Sequence, residues 1–342
     1  MTADLLSGIL KGVSRSFYLS VAILPRSLRT PIGLAYLFAR AADTIADTKI
    51  VSRAERLEHL ETLRGFFRGA GPAGALRIRE ALAPRQTTPA EAELVSRLDE
   101  CLAIYCGLPP EDRERIARVV LTLTDGMRKD LTTFPGEDEG RLAALETKAD
   151  LDRYTYLVAG CAGEFWTAVC MAHRPGLARW DAAAMAARGV RFGKGLQMTN
   201  VLRDVPRDLR IGRCYLPRQD LRRLGLAPED LLDPACLPKV RPLLSDLLRL
   251  TLEHYEEGWA YTMAIPRPEA QIRLACAWPL LIGLQTLARI AHAPNLLDPE
   301  CPVKIPRPAV YRLMARSGLA VFSNRVLTHH YACLRSRLGT YR

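Results

Sequence analysis

Two acidic pairs, far apart in the chain, hold the residue types that do chemistry. From Gln197 to Pro217 the sequence reads QMTNVLRDVPRDLRIGRCYLP, in which Gln197, Asn200, Asp204 and Asp208 recur at steps of three and four. On a helix that spacing sets two amides and two carboxylates on one face within a few turns. Acids so spaced also occur on an ordinary solvated helix face, so this run alone is a weak signal. A second pair adds weight: Asp43 and Asp47 stand four apart in RAADTIAD, just behind the apolar stretch GLAYLFA. Carboxylates facing an apolar interior must be paired, protonated or bound to metal.

Four carboxylates from two helices form a set of hard oxygen ligands. Such a set suits Mg²⁺, which keeps several waters, takes one or two carboxylates and fills its remaining positions with substrate phosphates. Asp43, Asp47, Asp204 and Asp208 are the candidate ligands together with Asn200, while Gln197 is placed to orient waters or the diphosphate. Acid alone would repel a diphosphate, so cations are needed beside it. Arg40 lies three residues before Asp43, Arg203 directly precedes Asp204, and Arg207 and Arg210 follow. The planar guanidinium fork suits phosphate oxygens. Acids, amides and arginines together read as a Mg²⁺-diphosphate site.

Five blocks in order carry a resemblance. SRSF at 14–17, YLFARAADTIAD at 36–47, DGMRKDL at 125–131, YTYLVAGCAGE at 154–164, and QMTNVLRDVPRD with GRCYLP resemble the squalene/phytoene synthase family, the head-to-head prenyl transferases. The likeness covers most of the chain. It implies that Tyr36 and Tyr156 act beside the four aspartates, Tyr156 lying where a tyrosine or a close neighbour contributes to cyclopropane formation. It implies also that Ser14 and Arg15 belong to a flap that contacts diphosphate and cofactor. PVKIPRP at 302–308 is similar to a squalene synthase segment in which a lysine and an arginine meet the reductant's phosphate. Lys304 and Arg307 are the matching candidates for NADPH, joined by Arg15, Arg40, Asn200 and Arg203. The chain departs from the pattern at Ala46, where animal-type squalene synthases carry an acid. Pro206 is a second departure, because the pyrrolidine removes a backbone donor and tends to kink or end a helix.

The elements that must position these groups are helical. Apolar residues follow steps of three and four over about 30–48, 52–68, 89–106, 111–131, 146–173, 181–209, 241–263, 268–292 and 308–337, and alternating β-branched runs are missing. The expected fold is all-α, a single domain over 1–342 of the isoprenoid synthase type, a helical bundle around a central cavity. Loops are expected at 69–89, 134–140 and 226–242. The small residues of LVAGCAG (157–163) predict either close helix packing or room for a polyprenyl chain.

Bulk properties narrow the partners. With 342 residues, 49% hydrophobic and 25% charged, the chain has an ordinary globular composition. Its net charge of +11 calls for an anionic partner: a polyprenyl diphosphate, an acidic membrane surface or nucleic acid. Lys and Arg read as scattered, and no nucleic-acid motif occurs, which argues against nucleic acid. Nine cysteines without CxxC pairs point to reduced thiols. The N-terminus lacks a secretory signal pattern. The apolar stretch at 275–291 contains Pro279, Gln285 and Arg289 and falls short of a clean membrane span. The expected location is cytoplasmic, with the protein soluble or peripheral on the inner face of a membrane.

The expected activity is that of a squalene synthase: two farnesyl diphosphates join to presqualene diphosphate, which NADPH then reduces to squalene. The alternative ends by proton loss without NADPH, giving phytoene or dehydrosqualene. From a different class stands a catalytically silent helical scaffold. No GxGxxG fingerprint follows a strand, so NADPH would bind in the helical cavity.

Overall fold

The computed structural model describes residues 8–13, 17–71, 73–86, 88–134 and 141–339. Ser14 and Arg15 lie outside them, as do residues 135–140 of one expected loop. The fold is all-α, as the periodicity implies. Among the described residues the sheet is confined to a two-residue parallel pair, Ala143–Ala144 (β1) with Arg213–Cys214 (β2), in register Ala143 to Arg213. By its internal contacts the chain divides into two compact units, Met1–Thr132 with Glu164–Ala182, and Thr133–Gly163 with Ala183–Arg342.

The first unit is built on α1 (Arg26–Asp47), whose face of Leu28, Ile32, Leu34, Leu37, Phe38 and Ile45 is fully or almost fully buried. Against it pack α2 (Arg53–Phe67), α4 (Pro89–Ser96) and α5 (Leu98–Cys106), with α3 (Ala73–Leu82) packed on α2 and α6 (Pro110–Thr133) completing the unit. Phe38 meets Phe67 and Tyr105 edge to face, with centroids 5.0 and 5.9 Å apart, which locks α1 to α2 and α5. Ser52 and Glu55 form a reciprocal cap that starts α2. Arg56, itself buried, donates to the Ala46 carbonyl at 3.1 Å and so fixes the end of α1 that carries the acids. Ala46 is 6% exposed, a position where an acid would be costly.

The second unit centres on α9 (Ala182–Arg210), α10 (Leu237–Ala264) and α11 (Ala270–Ala291). Thr147 and Asp150 cap α7 (Lys148–Thr155), which runs through a π-turn at Tyr156–Gly160 into the start of α8 (Cys161–His173). The small residues of LVAGCAG serve close packing: a Cβ on Gly163 would stand 1.9 Å from the Gly189 carbonyl oxygen, and one on Gly193 would stand 2.3 Å from that of Ala159. By length and apolarity α11 could cross a membrane. Its residues are mostly buried, however, against α10, α12 (Arg307–Ala320) and α13 (Asn324–Ser336).

Several boundaries correct the sequence reading. Residues 308–337 form two helices, because Val321–Ser323 turn and Ser323 caps α13 through the Val326 amide. The span 89–106 likewise breaks at Arg97. The loop expected over 69–89 contains α3, and that expected over 226–242 ends early, with α10 beginning at Leu237. Pro206 does not end its helix: α9 continues four residues beyond it to Arg210.

Candidate active site

The first acid pair sits at the C-terminal end of α1. Asp43, Asp47, Arg40, Thr44 and Gln86 border a recess of about 340 Å³, together with Glu91. Arg40 is ion-paired with Glu91 and lies 3.9 Å from Asp43. Burial pushes the Asp43 carboxyl up to about 7; Asp47 adds to the rise and Arg40 opposes it. Its side chain is nonetheless 45% exposed, because the recess admits solvent to a carboxylate walled by protein. Asp47 is exposed at the rim, and Tyr36, one turn before Arg40, is half-buried. Glu91 is an acid that sequence reading missed, brought to the recess from 51 residues away.

The second pair lies on a half-exposed stripe of α9. Gln197, Asn200, Arg203, Asp204 and Asp208 are all partly exposed, while Met198, Thr199, Val201, Leu202, Val205 and Leu209 are buried. Steps of three and four therefore do bring the polar groups to one face. Asn200 Nδ2 donates to Gln197 Oε1 at 3.2 Å, and Gln197 Nε2 donates to the Tyr154 hydroxyl at 3.3 Å. Arg203 grips Asp204 with two hydrogen bonds of 2.8 and 2.6 Å. That pairing raises the Arg203 pKa further. One turn earlier, Lys194 bonds both oxygens of Asp152 at 2.7 and 2.8 Å and stands 6.0 Å from the ring centroid of the half-buried Tyr156.

Behind this stripe the helix is tied to α10. Thr199 Oγ1 and the Tyr255 hydroxyl are 2.7 Å apart, and Arg191 Nε donates to His254 Nδ1 at 3.0 Å. Burial and the nearby Arg191 and Lys194 push the His254 pKa down to about 4, so the imidazole is neutral at pH 7. Tyr154 stacks on Tyr215 with centroids 4.6 Å apart, which joins the YTYLVAG and GRCYLP blocks. Tyr154, Asp152 and Lys194 went unnoticed in the sequence, although Tyr154 and its block were in view. Lys304 and Arg307 are both exposed at the start of α12.

Within either unit, no three carboxylate, imidazole or thiol groups among the described residues gather as a ready metal-ligand set. The donor chemistry nevertheless fits Mg²⁺. In the first recess the protein walls around Asp43, with Asp47 and Glu91 beside it, raise its proton affinity, and a divalent cation there would favour the carboxylate. A shell completed by amide, water and diphosphate oxygens is one that Mg²⁺ accepts.

Comparison with known proteins adds the following. A family model described as squalene/phytoene synthase matches residues 10–308. The bifunctional lycopene cyclase/phytoene synthase of Blakeslea trispora is 28% identical over 220 residues, 63% of this chain and 32% of that one, so this chain spans about a third of that relative's length. The squalene synthase of Eremothecium gossypii is 25% identical over 334 residues, 96% of this chain and 71% of that protein. A solved complex of TcSQS with the ligand BPH1237 superposes with a TM-score of 0.72 at 20% identity, covering 99% of this chain and all of that one, and so shares the helical isoprenoid synthase fold.

Proposed function

This chain belongs to the squalene/phytoene synthase family, and from that premise we propose that it is a squalene synthase, joining two farnesyl diphosphates head to head to presqualene diphosphate and carrying that on to squalene with NADPH as reductant. The observation that carries the reading is the repeated pairing of an acid with an arginine at the heart of each acid motif: Arg40 beside Asp43, and Arg203 on Asp204. Arg203 is held by Asp204, a carboxylate that a metal would claim, which leaves its guanidinium able to turn to a diphosphate oxygen, and Arg40, anchored by Glu91, stands beside Asp43 where a diphosphate would lie.

Asp43, Asp47, Asn200, Asp204 and Asp208 would hold Mg²⁺, and Gln197 would orient the bound diphosphate through the Tyr154–Gln197–Asn200 chain. Bound there, Mg²⁺ would stabilise the charge that develops on the departing diphosphate. Ser14 and Arg15 would add contacts to the same group. The rings of Tyr36 and Tyr156, each half-buried, would border the carbocation, and the hydroxyl of Tyr156 would take part in closing the cyclopropane. The exposed cations Lys304 and Arg307 fit the phosphate of NADPH, which would supply a hydride, and Arg15, Arg40, Asn200 and Arg203 would join them in binding it. The hydrocarbon tails of substrate and product favour a peripheral place on the inner face of a membrane, with no part for nucleic acid.

The relatives include a phytoene synthase portion as well as a squalene synthase, so the second reading is a reaction that ends by proton loss. Incubation of the purified protein with labelled farnesyl diphosphate and Mg²⁺, with and without NADPH, separates the two. Squalene formed only with NADPH supports the proposal. A C30 hydrocarbon formed equally without NADPH overturns it in favour of dehydrosqualene, and turnover of the C20 diphosphate alone points to phytoene.

A further inference from the structure

The expected scatter of cations does not hold at the C-terminus. Residues 301–342 contain Lys304, Arg307, Arg312, Arg316, Arg325, Arg335, Arg337 and Arg342, and neither aspartate nor glutamate, in a chain whose net charge is +11. The same stretch gathers exposed apolar side chains. Of the six large hydrophobic residues exposed among the described ones, four, Tyr311 (60%), Leu319 (91%), Phe322 (63%) and Val326 (52%), fall on α12, α13 and the turn between them, the other two being Leu76 and Leu232. Tyr311, Ala315 and Leu319 repeat at four-residue steps along the outer face of α12, with Arg312 and Arg316 beside them. The face continues into a groove of about 1060 Å³ between α11, α12 and α13, bordered by Arg289, Arg312, Arg316 and Arg337 over an apolar floor that includes Leu313 and Leu334.

This pair of helices is not loosely attached. Trp278 Nε1 donates to Ser317 Oγ at 3.0 Å, the buried Arg273 donates to Asn324 Oδ1 at 2.6 Å, and Trp259 stacks on Tyr331 with centroids 4.3 Å apart. The inner faces of α12 and α13 are thus fixed to α10 and α11, and the outer face presents cations flanking apolar side chains at a helical turn. We propose that this α12–α13 face docks the chain on an anionic lipid bilayer, with headgroup phosphates in the arginine-lined groove and Leu319 and Phe322 entering the acyl boundary. Amphipathic interfacial helices bind by this combination of basic residues and buried apolar area. Nucleic acid would satisfy the arginines and leave Leu319 and Phe322 in water. A two-fold pairing of copies would set Arg312 and Arg316 against their own counterparts, a like-charge contact.

The inference rests on the peripheral membrane contact proposed above and gives it a surface, but its test does not require the chemistry. Full-length protein is sedimented with phosphatidylcholine vesicles with and without phosphatidylglycerol, over a range of salt. Binding that requires phosphatidylglycerol and weakens with salt is expected. Arg312→Glu/Arg316→Glu should lower it at least tenfold, and Leu319→Ser/Phe322→Ser should lower it even at low salt, while both variants keep wild-type melting and wild-type turnover of detergent-dispersed farnesyl diphosphate. Binding unaffected by either pair, equal binding to both vesicle types, or affinity for duplex DNA or for a second copy in place of vesicles would each overturn it. In the wild-type protein, failure to bind vesicles with intact turnover refutes the surface alone, and vesicle binding without turnover refutes the reaction alone.

Discussion

Arg203 closes on Asp204 in a two-pronged ion pair, Nε to one carboxylate oxygen at 2.8 Å and Nη2 to the other at 2.6 Å. Residues adjacent in sequence rarely face each other on a helix; here the long arginine side chain folds back over its neighbour. The pair neutralises an acid that would otherwise repel both Asp208 and an incoming diphosphate. It also competes with any cation for the Asp204 oxygens.

Arg203→Gln therefore separates two affinities. Loss of the competing guanidinium should tighten Mg²⁺ binding in the absence of substrate, measured by calorimetry. It should weaken farnesyl diphosphate binding about tenfold or more, the worth of a charge-assisted hydrogen bond, read as a rise in KM. Movement of both affinities in one direction would contradict the competition.

Asp43 should make the metal-free protein less stable as pH rises. Its folded pKa, about 7, lies above the unfolded value of 3.8, so the native state binds the extra proton. Stability linked to this group is full below pH 3.8 and is lost as pH climbs through 7. Asp43→Asn should then raise the thermal midpoint at pH 8 relative to wild type and leave the two alike near pH 4. Saturating Mg²⁺ should shrink the difference at pH 8.

His254 has the opposite sign. Its folded pKa, about 4, lies below the unfolded value near 6.5, so stability is full above pH 6.5 and falls as pH drops toward 4. Urea midpoints measured from pH 7 to pH 5 should decline in wild type and decline less in His254→Gln. An equal decline in both would place the titrating group elsewhere.

Two glycine substitutions should move stability in opposite directions. Gly163→Ala would drive a methyl against the Gly189 backbone, costing roughly 1–3 kcal/mol or more. Gly318→Ala meets no atom within 4 Å on α12 and should stabilise by about 0.5–1 kcal/mol. Chemical denaturation of the two variants checks both signs.

The parts of the site legible in sequence are those that one helix can project. Gln197, Asn200, Asp204 and Asp208 were placed together by the helical period, and the buried residues between them follow from the same period. Glu91 was not legible, because it reaches Arg40 only through the packing of α4 on α1. Lys194 and Asp152 meet across 42 residues for the same reason. The small residues around Gly163 left packing and cavity open, since the period shows which face is small and not what lies opposite. The break between α12 and α13 carries neither glycine nor proline at its turn, and its one sign, Ser323 as a helix cap, was overrun by the continuing apolar period.

The most direct test of the central claim, that both acid pairs help pull diphosphate from a prenyl tail, is the rate of pyrophosphate release from farnesyl diphosphate by Asp43→Asn and Asp204→Asn with Mg²⁺. The account predicts a fall of about 100-fold or more in each, with secondary structure intact and no loss of melting temperature. Release at the wild-type rate from either variant, or a fall matched by a loss of folded protein, would contradict it.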